Sequence, residues 1–139
     1  MSMEEIYTLF LEHPRICTDS RHIVPDSLFF ALKGPNFNGN AYAAEALEKG
    51  AAYAIVDEAE YAGQERCILV PDALKCLQDL GTHHRRHSRA TIIALTGSNG
   101  KTTTKELISR VLSRNYNTLS TEGNLNNHIG VPLTLLKLR

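Results

Sequence analysis

TIIAL (residues 91–95) runs directly into TGSNGKTTT (96–104), and this junction decides the fold class. TIIAL is apolar and rich in β-branched residues, the composition of a strand covered on both faces in a parallel sheet. Behind the junction, Lys105–Arg114 has Leu107, Ile108, Val111 and Leu112 at the spacing of one helical face. A glycine-rich turn between a buried strand and a helix is the setting of a phosphate-binding loop. Its backbone N–H groups converge on an anion, the helix start adds partial positive charge, and a lysine neutralises the terminal phosphates. A hydroxyl directly after that lysine is placed to ligate Mg²⁺. The candidate ligands for a nucleoside triphosphate are therefore Gly97, Ser98, Asn99, Gly100, Lys101, Thr102 and Thr103, with Thr102 also the metal candidate. One position departs from the full GxxxxGK[ST] pattern, because Leu95 stands where its first glycine belongs. The alternative is a plain strand-to-helix turn with an exposed lysine, but such a turn has no need of Gly-Lys-Thr-Thr at the helix start.

Upstream, strands and helices alternate. Ile6, Leu9, Phe10 and Leu11 share a helical face, Arg15–Ser20 is a short strand running into a loop, and Ser27–Leu32 is a strand after Pro25-Asp26. Lys33–Asn40 has the glycines, proline and asparagines of a loop. Ala41–Lys49 is built from strong helix formers and Gly50 stands at its C-terminal cap. Strands follow at Ala51–Val56 and Cys67–Val70, and Asp72 is the expected N-cap of a helix ending in HHRRHSR (83–89). Past the phosphate loop the pattern predicts a strand at Tyr116–Ser120, a loop at 123–132 and a helix from Leu133. Alternation of this kind predicts an α/β fold with a mainly parallel sheet.

Fifteen Lys and Arg balance fifteen Asp and Glu, so the chain lacks the basic excess expected of a generic nucleic-acid binder. It has no apolar run of membrane-spanning length, and MSMEEIYTLFLEH lacks the basic and apolar regions of a secretory signal. Three cysteines, Cys17, Cys67 and Cys76, have neither CxxC nor CxxH spacing. That points to core thiols in a reducing compartment, and so to a cytoplasmic protein. His83 and His87 lie one helical turn apart, but without a neighbouring cysteine or carboxylate they read, with His84, as cations at a helix C-terminus rather than metal ligands.

Two further clusters invite a ligand. Ser20 and Arg21 follow a strand and could offer a hydroxyl and a guanidinium to a uracil edge or a diphosphate, although on these residues alone an ordinary Asp19–Arg21 surface pair is the better explanation. Asn38, Gly39 and Asn40 could place amides and backbone N–H groups around a nucleotide, and their alternative is a turn-rich connection. A magnesium-holding carboxylate is harder to find. After Thr103 the only acids are Glu106, on the helix, and Glu122, in a Gly/Asn loop. Neither lies behind an apolar strand, so the chain is expected to stop inside its nucleotide-binding domain.

TGSNGKTT followed by GNLNNHIGVPLTLL (123–136) resembles the Mur ligases of peptidoglycan synthesis, and TDSR (18–21), SLFFALKG (27–34), FNGN (37–40) and AYAIV (52–56) match that family in the same order. The resemblance is to the branch that adds D-alanyl-D-alanine, with the branch adding the third amino acid second and a generic P-loop kinase or NTPase, or a nucleotide-sugar binding module, as alternatives. It implies a small N-terminal domain (1–88) that binds the UDP part of the substrate, followed by the incomplete start of a P-loop ATPase domain (89–139). It further implies ATP and Mg²⁺, with UDP-N-acetylmuramoyl-tripeptide and D-alanyl-D-alanine as substrates joined through an acyl phosphate. In that picture Lys101 is catalytic, and Ser20, Arg21, Asn38, Gly39, Asn40, Asn126 and Asn127 contact substrate, with Asn124 in the same loop. The family usually has Asp-Gly-His where this chain has Asn38-Gly39-Asn40, which removes any role for a titrating histidine there. These residues alone are expected to be inactive.

Overall fold

The computed structural model describes residues 1–123 and 125–139; Asn124 lies outside the described residues. The chain opens with α1 (Met3–Glu12), fixed by a capping box in which Ser2 Oγ accepts the Glu5 N–H and the Glu5 carboxylate accepts the Ser2 N–H. Ile6 and Phe10, one turn apart, are the residues this helix buries. After β1 (Ile16–Cys17) and β2 (Leu28–Phe30) comes a small antiparallel hairpin, β3 (Lys33–Gly34) and β4 (Phe37–Asn38). Then follow α2 (Ala43–Glu48), β5 (Tyr53–Val56), β6 (Cys67–Leu69) and α3 (Ala73–His87), the last capped by Asp72, which accepts the Lys75 N–H at 2.9 Å. Two further helices are α4 (Lys101–Leu112) and α5 (Gly130–Leu135).

The main sheet has the order β1-β2-β5-β6, with all three pairings parallel. Both of its faces are covered. Leu28, Phe30 and Ile55 pack on one side with Ile6 and Phe10 of α1 and Leu77 and Leu80 of α3. Phe29, Ala54 and Val56 pack on the other with Ala43, Ala46 and Leu47 of α2. Alternation along β2 and β5 divides the residues between the layers, which is why these short strands are apolar throughout. Each large side chain taken out of water here contributes about 1.5–3 kcal/mol.

The C-terminal tail returns to the same layer. Leu136 is buried in the cluster of α1 and α3, and the Gln78 side chain donates to the His128 carbonyl at 3.1 Å. Gly81 allows the close crossing of α3 and α5, since a Cβ there would lie 3.2 Å from Pro132 Cα. His84 joins three elements: Tyr7 O–H lies 3.2 Å from its Nδ1, and its Nε2 is 2.9 Å from the Leu138 carbonyl. A carbonyl only accepts, so Nε2 carries a proton, and in the neutral ring Nδ1 accepts from Tyr7. His83 and His87 pack on the Tyr7 ring as well, so these histidines join α3 to α1.

Several expectations are corrected. Residues 91–95 form no strand: Ile93 is 59% exposed, and among the described residues no strand lies alongside to complete a ladder. Tyr116–Ser120 forms none either, for the same reason. The expected loop at Lys33–Asn40 contains the β3–β4 hairpin and the start of a 3-10 turn, elements too short to leave a periodic pattern. α4 begins at Lys101 rather than Lys105, because Gly100 adopts a left-handed conformation (φ 75°) and starts the helix at once. α5 likewise begins at Gly130 rather than Leu133. Cys17 and Cys76 are buried, whereas Cys67 is half-buried.

Candidate functional site

In a parallel sheet all carboxyl ends lie at one edge, and the crevice beyond that edge is where such folds bind ligands. Three stretches leave the sheet there. β1 leads into the 3-10 turn Ser20–His22, β2 leads through Leu32 into the hairpin bearing Asn38-Gly39-Asn40, and β5 leads into Asp57-Glu58. The structure therefore gathers Ser20, Arg21, Asn38, Gly39 and Asn40 at the same end of the sheet.

Their side chains are arranged very differently. Arg21 is 80% exposed, and its guanidinium meets Asp19 through Nη2 at 2.7 Å and Nε at 2.9 Å. Arg21 in turn holds the Asp19 carboxyl well below the usual carboxylate range. Ser20 is buried, and its carbonyl accepts from Lys49 Nζ at 2.9 Å. Asn40 is fully buried: its Nδ2 donates to Asp57 Oδ1 and Asn38 Oδ1, and its Oδ1 accepts the Asp57 N–H. Asn38 Nδ2 donates to both oxygens of Glu58, at 3.1 and 3.0 Å. Gly39 has no space for a side chain, since a Cβ would lie 2.4 Å from the Leu32 carbonyl oxygen.

Sequence reasoning missed the charged part of this network. Lys33 Nζ bridges Asp57 (2.9 Å) and Glu58 (3.0 Å) and remains 47% exposed. Burial pushes the Asp57 carboxyl up, but the Ala73 N–H, Lys33 and Asn40 together outweigh it and hold it below its ordinary value. Lys33 and Asn38 lower Glu58, and the two carboxylates raise Lys33. The available signal was position: Asp57-Glu58 directly follows an apolar strand. The result is a stiff platform, with Lys33 and Arg21 as its exposed cations.

The second candidate region begins at Gly97, whose φ of 148° is one that side chains disfavour. The turn ends at Gly100, which caps α4 without a side chain. The partial positive charge of a twelve-residue helix therefore faces the turn, and Lys101 Nζ donates to the Gly97 carbonyl, so its ammonium lies over the glycines. Backbone amides, a lysine and the hydroxyls of Ser98, Thr102 and Thr103 form a donor set suited to a phosphate chain. The donor set also fits a Mg²⁺ ion accompanying such a chain, which Thr102 would hold through its hydroxyl. Glu106 pairs with Lys105 and Glu122 with Lys137, so both downstream acids already have cationic partners.

In the asparagine loop, Asn127 Oδ1 accepts the N–H groups of Ile129 (3.2 Å) and Gly130 (2.7 Å), capping α5, while Asn126 is exposed. A separate cleft of about 340 Å³, lined by Tyr7, His84, His87, Ser88, Arg89 and the chain end, contains none of the sequence candidates.

Residues 14–85 match the family described as "Mur ligase family, catalytic domain", and residues 95–139 match "Mur ligase middle domain". The UDP-N-acetylmuramoyl-tripeptide–D-alanyl-D-alanine ligase of Buchnera aphidicola (subspecies Baizongia pistaciae) is 44% identical over 124 residues, 88% of this chain and 27% of that protein. Among solved structures, MurF from Acinetobacter baumannii superposes with a TM-score of 0.83 at 44% identity, over 90% of this chain and 28% of that one. MurF ligase from Thermotoga maritima, in complex with ADP, superposes with a TM-score of 0.81 at 32% identity, over 91% and 29% respectively. The chain thus spans a little over a quarter of the length of the relatives it matches. With two family matches in sequence order and the same α/β architecture, this chain belongs to the Mur ligase family.

Proposed function

We propose that this chain supplies the UDP-substrate and phosphate-binding portions of an ATP-dependent ligase. That ligase joins D-alanyl-D-alanine to UDP-N-acetylmuramoyl-tripeptide in the cytoplasm, for peptidoglycan synthesis. The observation that carries the reading is a platform at the carboxyl end of a parallel sheet on the same chain as a glycine turn opening a helix with Lys101 and Thr102. The names of the relatives and the ADP bound to one of them support the choice of substrates.

Residues 1–88 hold the UDP moiety. Arg21 and Lys33, each already paired with carboxylates, are the exposed cations that the platform offers to its diphosphate, and Asn38, Gly39 and Asn40 set the shape of the platform below. Residues 89–139 begin the ATP-binding domain. The amides of Gly97–Thr103 cradle the triphosphate, and Lys101 offsets charge on the phosphoryl group as it passes to the tripeptide's terminal carboxylate. Thr102 would hold Mg²⁺ through its hydroxyl, and the ion would supply positive charge to stabilise the phosphate oxygens. The dipeptide amine then attacks the acyl phosphate and phosphate leaves. Asn126 and Asn127 belong beside the reacting carboxylate, where Asn127 also fixes the start of α5.

Lys101→Ala in the complete ligase is expected to lower acyl-phosphate formation by at least about a hundredfold. Binding of the UDP substrate should stay nearly unchanged, as measured by calorimetry beside a phosphate-release assay. Equal loss of both would contradict the division of labour. The 139 residues alone are expected to form no product, and turnover matching an intact enzyme would overturn that expectation.

A further inference from the structure

A lysine one turn behind the phosphate loop has partners that set it apart from Lys101. Lys105 follows Lys101 by four residues on α4, so the two stems leave the same face about 6 Å apart along the axis. Lys101 reaches forward to the glycine turn, whereas Lys105 Nζ donates to the carbonyls of Thr121 (2.5 Å) and Gly123 (3.1 Å). Its remaining partner is the Glu106 carboxylate at 3.1 Å, and its side chain is only 14% exposed. The ammonium is thus committed to two backbone carbonyls and one acid.

What Lys105 holds leads into the asparagine loop. The Leu125 N–H donates to the Glu122 carbonyl, and Asn127 caps α5. Gly130 fits tightly against Leu125, since a Cβ there would lie 2.7 Å from Leu125 atoms. Glu122 pairs with Lys137 at 2.6 Å, one residue past the buried Leu136. A run of specific contacts therefore connects the phosphate-loop helix to the 121–130 stretch and on to α3 through α5.

We propose that Lys105 is a positioning residue: by binding the Thr121 and Gly123 carbonyls it ties the start of the asparagine loop to α4 and so sets where Asn126 and Asn127 lie. It acts on the transfer step through that loop and takes no phosphate itself. The inference rests on the ligase reading above. A neutral side chain at 105 frees the loop but leaves the glycine turn and Lys101 in place. The expected signature is a fall in kcat with nucleotide affinity preserved, because a small displacement of a substrate-contacting group costs between about ten- and a hundredfold in rate.

The test uses the complete ligase with Lys105→Gln, Lys105→Arg and Lys101→Ala, measuring kcat and KM for ATP and the affinity for a fluorescent ATP analogue. Wild type that forms no ATP-dependent product would defeat the ligase reading itself and the inference with it. Given an active wild type, Lys105→Gln should lose about ten- to a hundredfold in kcat with nucleotide affinity within about threefold of wild type. Lys105→Arg, which keeps the charge and the reach to both carbonyls that the shorter, neutral glutamine amide lacks, should recover most of that loss. Nucleotide affinity weakened as much as in Lys101→Ala would show a phosphate ligand instead and overturn the proposal. So would an unchanged kcat in Lys105→Gln, or an arginine variant no better than the glutamine one when both melt like wild type.

Discussion

Residues 91–95 and residues 28–30 make an instructive pair. Both are short apolar runs that enter a chemically interesting loop, yet Leu28, Phe29 and Phe30 are at most 1% exposed while Ile92 and Ile93 are 39% and 59% exposed. The contrast extends outward: Leu107, Val111 and Tyr116 show 59%, 68% and 69% of their surfaces, whereas Leu77 and Leu80 of α3 show none. The difference lies in the neighbours. β2 has β1 and β5 at its sides and helices on both faces, while 91–95 has no described strand beside it. An apolar run states a demand for burial, and only adjacent strands turn that demand into a β-strand.

The largest expected effect breaks this comparison directly. Phe30→Ala should destabilise the 139-residue chain by about 3–5 kcal/mol, or prevent folding, whereas Ile93→Ala should change its stability by less than about 0.5 kcal/mol. Urea unfolding of both variants checks the pair, and similar losses would mean that 91–95 is packed after all. Next in size is Gly39→Ala, where the added methyl meets the Leu32 backbone and should cost about 1–3 kcal/mol. Its partner, Gly100→Ala, meets no atom within 4 Å. Only its φ of 75° is unfavourable, so its cost should stay near 1 kcal/mol.

A smaller effect concerns acid. The Asp57 carboxyl lies below its ordinary value when folded, so its contribution to stability is complete above the unfolded carboxylate range, about pH 4. It is lost as pH falls through the lowered value. The urea midpoint should therefore drop on acidification below about pH 4, with a shallower drop in Asp57→Asn. An identical acid response in both proteins would remove Asp57 from the account.

The same contrast explains what could be read from the sequence. β2, β5, α1 and α3 were legible because periodicity and caps are local and their partners lie within the chain. The strand expected at 91–95 was an equally sound local reading, undone by the lack of a described neighbour. In the platform, Asn38 and Asn40 were visible as ligand-type residues. Their partners Glu58 and Asp57, 20 and 17 residues away, come together only through the parallel crossover to β5. Lys105 was hidden differently, since on α4 it reads as an ordinary helix lysine until the carbonyls of Thr121 and Gly123 are seen around it.

The most direct measurement is ligand-observed NMR on the 139-residue chain with UDP-N-acetylmuramoyl-tripeptide, UDP and ATP, with Arg21→Ala as control. The account predicts saturation transfer to both UDP compounds that is lost in Arg21→Ala, because the platform at the sheet's carboxyl end is already built. Folded protein that bound ATP and ignored the UDP compounds would contradict it.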